Sequence, residues 1–283
     1  MKKSLTILFL VIISSIYNAQ NNTNSSLISD TLTYGVAVAP SSMRFDTKVG
    51  ESQTRKLYIT NSTNKSYKFR VNFQNVNMDR LGDITQETDS DYEYGLTKWI
   101  SASPNFLELE PREKAIVDIT VNVPEGQINK HAAWCMGMVD QVTERTTIAD
   151  LTENITFGVI PSFGFGVYFY QNPPDLKIND VEILDFNFNY TDDNKYISMV
   201  AENRGKGIAK AKVYIELNDL GTGYYEKLDL KVFNILPGRQ RDFNFSLPGS
   251  MPKGRYSIMG VLDFGSDVEI KAASKEIIIQ WRY

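Results

Sequence analysis

Cysteine and histidine are nearly missing from this chain: Cys135 and His131 are the single examples of each in 283 residues. One thiol closes no internal disulfide and excludes a four-cysteine zinc site. A nucleophilic Cys-His pair needs hydrogen-bond contact, whereas residues four apart on a strand stand about 13 Å from each other. Cys135, inside an apolar run, therefore reads as a small buried hydrophobe. His131, between a turn and that run, reads as a solvated strand-entry residue. Basic clusters are missing too. With Lys+Arg 30 against Asp+Glu 34 the chain is mildly acidic and offers no patch for phosphate backbones, which excludes nucleic acid as a partner. Gly164 and Gly166 lack the lysine and following helix of a phosphate loop, and no two carboxylates are singled out for glycoside chemistry. No catalytic residue, no metal and no cofactor is expected, and the chain is read as non-enzymatic.

Long apolar runs are confined to the start. Lys2 and Lys3 precede residues 5–16, which are apolar except for Thr6, Ser14 and Ser15, and Ala19 offers a small residue for cleavage. The run is short of the roughly 20 residues a spanning helix needs. Residues 1–20 are therefore expected to be a signal peptide, followed by a polar lead-in at 21–33. Losing the two lysines takes the formal charge from −4 to −6. No later stretch is apolar enough to span a membrane, so no integral span is expected after signal cleavage. Export to the periplasm or cell surface follows.

What is present is alternation. Tyr67, Phe69, Val71 and Phe73 recur at period two, as do Ala115, Val117, Ile119, Val121 and Val123. Short strands without helical periodicity predict an all-β chain, and the length suits two domains of about 100–150 residues. The prediction is two immunoglobulin-like β-sandwich domains in tandem, at 34–171 and 172–283, with a break at Pro173-Pro174 where proline must leave the sheet. Residues 75–95 are acidic and turn-rich and read as a long connection, as does 141–154. Asp89, Asp91 and Glu93 alternate as calcium ligands do, but Gly95 comes one place late for a calcium loop and Ile100 stands where its glutamate belongs, so a solvated loop is expected.

Residues 45–61 and 99–111, with Leu109-Glu110-Pro111, resemble the first domain of the periplasmic pilus-assembly chaperones. So do residues 158–173, ending Val167-Tyr168-Phe169-Tyr170-Gln171-Asn172-Pro173. The resemblance implies two sandwiches at an angle and a last first-domain strand that can be lent to a client by β-strand addition. It also implies an arginine on the first strand that anchors a client carboxylate, matched by Arg44. The family's lysine on the last strand has no counterpart, since none occurs between Lys130 and Lys177, and Gln171 replaces the exit arginine. The row Phe163, Phe165, Val167 and Phe169 either reaches a client or fills its own core, in which case Tyr168 and Tyr170 face outward. Arg44, Phe163, Phe165, Val167, Tyr168, Phe169 and Tyr170 are thus the partner-binding candidates. The expected partner is an exported β-rich subunit or a surface protein, held by a chaperone-like assembly factor. Turns at 202–205, 236–238 and 252–256 and the two-domain order also resemble WxL-interacting surface proteins, which implies the alternative of a surface adhesion or scaffold module.

Overall fold

The computed structural model describes residues 35–125, 131–143, 162–174, 176, 180–190, 195–249, 251–265 and 269–280. The expected leader, the lead-in and most of the 141–154 connection lie outside them. Among the described residues there are strands and turns and no helix.

The first group of strands runs β1 (Val36–Ala39), β2 (Ser42–Phe45), β3 (Ser52–Asn61), β4 (Tyr67–Gln74), β5 (Val76–Met78), β6 (Ile84–Gln86), β7 (Ile100–Ser103), β8 (Phe106–Leu109), β9 (Lys114–Asn122), β10 (Ala133–Gln141) and β11 (Gly164–Gln171). They form two facing sheets, β1-β3-β9-β7 and β2-β11-β10-β4-β8, and β5 and β6 pair as a separate hairpin. The first strand is split. β1 pairs antiparallel with β3, the chain crosses through Pro40 and Ser41, and β2 pairs parallel with β11 in the opposite sheet. The inward rows predicted from alternation meet here: Leu57, Ile59, Phe69, Val117, Ile119, Val121 and Phe169 are fully enclosed. Gly137 is required by that packing, because a Cβ on it would stand 2.4 Å from a ring carbon of Phe169.

The second group runs β12 (Val181–Tyr190), β13 (Lys195–Asn203), β14 (Ala209–Asp219), β15 (Tyr225–Lys227), β16 (Lys231–Ile235), β17 (Gln240–Ser246), β18 (Gly254–Asp263) and β19 (Lys271–Ile279). A β12-β13-β17 sheet faces a five-stranded one in which β14 carries β15, β16 and β18, with β19 beyond β18. Ile197, Met199, Val213, Ile215, Phe243, Tyr256 and Ile258 form this second core. The fold is therefore two sandwiches in tandem.

Each sandwich fixes the end of a long strand, β3 in the first and β13 in the second, with a buried asparagine. Asn61 Nδ2 donates to the carbonyls of Lys65 (2.7 Å) and Glu110 (2.9 Å), and its Oδ1 accepts the Thr63 N–H at 3.0 Å. Asn203 repeats the pattern with the carbonyls of Gly207 and Ile235, both at 2.8 Å, and the Gly205 N–H at 2.9 Å. Alanine at Asn203 would strand two buried carbonyls and is expected to cost about 2–3 kcal/mol. Urea midpoints of the wild type and Asn203→Ala give that difference directly.

The stretch expected as a plain acidic connection joins the sandwiches instead. Asp79 Oδ1 gathers the N–H groups of Leu81, Gly82 and Asp83 at the β5–β6 tip. There the Arg80 carbonyl accepts the Asp242 N–H of edge strand β17 at 2.8 Å. The Arg80 guanidinium also holds the Asp242 carboxylate, at 2.9 Å from Nε and 2.8 Å from Nη2. An edge strand is thereby capped by a neighbour rather than left open. Beneath the hairpin Val76, Ala132, Trp134, Tyr170, Ile208 and Leu236 form a third apolar cluster drawn from both sandwiches. This explains the unbroken apolar run at 132–139. Ala133, Cys135 and Val139 face the first core, while Ala132 and Trp134 face the third cluster.

Candidate functional site: the edge of β11

β11 pairs with β10 along its whole length, from Gly164 to Gln171. On its other side β2 covers only Tyr168 to Gln171. The hydrogen-bond parity decides which groups are left over. The Gln141 N–H donates to the Phe163 carbonyl at 3.0 Å, so odd-numbered residues turn their backbone groups to β10. The Tyr168 N–H donates to Ser41 at 3.0 Å, so even-numbered residues turn theirs the other way. Among the described residues nothing pairs with the outward N–H and C=O of Gly164 and Gly166. Both residues are exposed and carry no side chain, so another backbone can approach closely.

The candidate residues named from sequence divide by face. Val167 and Phe169 are sealed in the first core, at 1% and 0% exposure, and Phe165 packs against its margin. Val167 and Phe169 thus present no side chain to a partner: the row fills its own sandwich because the facing β3–β9 sheet supplies the matching apolar side chains. Phe163 is partly exposed and lies edge-on to Tyr67, Phe69 and Phe165. Tyr168 and Tyr170 point outward with near-parallel rings 6.1 Å apart. Tyr170 is nevertheless buried, because the second sandwich covers it, and that burial pushes its hydroxyl pKa up.

Arg44 sits beside Tyr170 across the β2–β11 pair. Its guanidinium lies 5.5 Å from the Tyr170 ring centre and donates from Nη2 to Asn234 Oδ1 on β16. Burial lowers its pKa, against opposing pulls from Tyr170 and Asp46. Gln171, where the resemblance leads one to expect an arginine, is buried instead. Its Nε2 donates to the Thr47 carbonyl at 2.6 Å, tying the strand exit to the end of β2. Arg241 was not suggested by any sequence signal. It is 8% exposed, lies over the Phe233 ring and packs against Gly82 of the hairpin, and burial lowers its pKa.

The remaining reactive groups do not converge. Burial pushes the Cys135 thiol pKa well up, which suppresses the thiolate. His131 is not a solvated residue: it is half-buried, its ring lies tilted against Tyr94 with centres 4.6 Å apart, and Nε2 stands 3.3 Å from Glu93. In the 89–95 loop Asp91 is held by Lys98 at 2.6 Å, and that bond keeps its carboxyl below the usual range. Among the described residues no three of His, Cys, Asp or Glu gather as metal ligands would.

No protein-family model and no curated protein matches the chain. Solved structures similar to it include a chain from the chaperone–tip adhesin complex of CFA/I fimbriae biogenesis, at 12% identity and TM-score 0.46, covering 86% of this chain and 98% of that one. The class 5 fimbriae chaperone CfaA is similar at 13% identity and TM-score 0.44, covering 87% and 100%. The E. coli chaperone DraB is similar at 10% identity and TM-score 0.40, covering 88% and 98%.

Proposed function

We propose that this chain is an exported, non-enzymatic assembly factor of chaperone type, which holds a β-rich secreted or surface subunit by β-strand addition along β11. The observation that carries the reading is the unpaired backbone of Gly164 and Gly166, continuous with a strand whose inward side chains are locked into a finished core. An extended client segment gains main-chain hydrogen bonds there, and the rigid strand loses little conformational freedom on binding. Phe163 and Phe165 offer an apolar margin at the open end, and Tyr168 borders it at the other. Arg44 lies beyond Tyr168, committed to Asn234 and Tyr170, so its part is to brace the strand against the second sandwich as well as to supply positive charge.

The parity of the strand provides the test. Proline at Gly166 removes the outward donor and leaves the ladder to β10 intact, the position at which an edge strand tolerates proline. Alanine at Gly166 keeps the donor and adds a Cβ 3.1 Å from the Met136 sulfur, which a flexible side chain can accommodate. With tagged full-length protein crosslinked in its native cells, wild type and Gly166→Ala should capture the same exported β-rich protein, and Gly166→Pro should lose it. Equal capture by folded Gly166→Pro would remove strand addition at β11 from consideration.

A further inference from the structure

The split of the first strand leaves a second open edge, on the other sheet and at the opposite end of the crossing. β1 pairs only with Tyr58 to Asn61, so β3 from Ser52 to Leu57 has β9 on one side and no strand on the other among the described residues. The Ser62 N–H donates to the Gly35 carbonyl, and the Asn61 N–H to Glu113. Even-numbered residues of β3 thus turn their backbone toward the β1 side, which leaves the groups of Ser52, Thr54 and Lys56 unpaired. Facing them across the gap is β2. The carbonyls of Ser41 and Phe45 accept from Tyr168 and Asn172 of the β11 side, so the backbone of Ser42 and Arg44 points away from β11. The two walls enclose an open groove of about 450 Å³ between Ser42–Arg44 and Thr54–Tyr58.

Its charge is opposite to that of the protein. In a chain of formal charge −4, Arg44, Arg55 and Lys56 line this groove together. None of the three forms an ion pair with a described carboxylate: Arg44 donates to Asn234 and lies over the Tyr170 ring, Arg55 rests 5.7 Å over the Phe45 ring, and Lys56 stands opposite Asp118 of β9 without an ion pair to it. We propose that the β2–β3 groove is a second strand-acceptor site, distinct from β11, whose occupant is an extended acidic segment of a partner protein. Strand pairing to Thr54 and Lys56 sets its register. Carboxylates on it meet Arg55 and Lys56, and the exposed position of the cations makes the attraction salt-sensitive.

The probe is a labelled ten-residue peptide in which adjacent Glu pairs alternate with adjacent Val pairs, so that carboxylates project from both of its faces, blocked at both ends and read by fluorescence anisotropy against the full chain. Replacing its Glu by Gln should weaken binding about tenfold or more, as should the double variant Arg55→Gln/Lys56→Gln, because two charge-assisted contacts are lost. Thr54→Pro, which removes an outward donor and no ladder bond, should weaken it comparably. Gly166→Pro should leave it unchanged, which separates this site from the β11 edge. Equal affinity for the Glu and Gln peptides overturns the charge argument. Insensitivity to Thr54→Pro, or equal binding of a sulfated polysaccharide, overturns strand pairing in favour of a plain polyanion surface. Loss with Gly166→Pro overturns the location. Should Thr54→Pro fail to fold, a peptide N-methylated at alternate residues asks the same question: retained affinity refutes pairing, and lost affinity supports it.

Discussion

Val167→Arg and Phe169→Ala are expected to unfold the first sandwich, not to detach a partner from a folded one. Phe169 is fully enclosed, edge-on to Phe73 at 5.6 Å and against Gly137. Truncating it to alanine should cost about 3–5 kcal/mol, mostly through the cavity it leaves. An arginine at Val167 places a charge with no partner among Leu, Ile and Phe side chains, a penalty of several kcal/mol on its own. Domain stabilities run about 5–15 kcal/mol, so either change consumes most of the margin. Near-ultraviolet circular dichroism and urea titration report the outcome. A folded Val167→Arg protein of near wild-type stability would mean that the strand's faces are assigned the wrong way round. The outward positions behave differently: Gly166→Ala is expected to stay within about 1 kcal/mol of wild type, since only the Met136 side chain has to shift.

Trp134→Ala is the second change with a large expected effect, and its signature is a loss of coupling. Trp134 donates from Nε1 to the Val76 carbonyl at 2.8 Å and stacks on Tyr94 with ring centres 4.8 Å apart and planes 18° apart. Its backbone exchanges hydrogen bonds with Tyr94 and Leu96, which pins the acidic loop to β10. It therefore organises the third cluster, where Ile208 and Leu236 of the second sandwich meet the first. Removing the indole should cost about 3–5 kcal/mol. The loss falls on the contact between sandwiches, so calorimetry of the wild type should give one transition and that of Trp134→Ala two. A single transition merely shifted down in temperature would place the indole's contribution inside one sandwich.

Much of this was legible in the sequence because strand periodicity is a direct readout of a one-sided core. The period-two rows at 67–73 and 115–123 became β4 and β9 with their inward faces as expected. The loss came where alternation carries no contrast. In β11 odd positions hold Phe and Val while even ones hold Tyr168 and Tyr170, so both faces looked apolar, and the second sandwich covering Tyr170 is invisible from local pattern. β5 and β6 are three residues each, too short for periodicity, and their tip is built by Asp79, a residue that sequence reading assigns to turns and water. The start of β19 hides behind Lys271, Ala272, Ala273 and Ser274, which offer no large side chain to count. Open edges depend on which strand stops where, and the register that defines them is a property of paired strands rather than of any one segment. Gly164 and Gly166 were the one local signal: glycines alternating with an apolar row mark a place where a backbone has room to approach.

The central claim is that the outward backbone of β11 at Gly164 and Gly166, beyond the reach of β2, is unpaired until a client arrives. Amide hydrogen exchange, resolved by residue, measures this without knowing the client. In the free protein the N–H groups of Gly164 and Gly166 should exchange on the order of 100-fold faster than those of Phe165 and Val167, which are bonded to β10. In the crosslink-identified complex they should become as protected as their neighbours. Slow exchange at Gly164 and Gly166 in the free protein would mean that another part of the chain already occupies the edge, and the account would fail at its root.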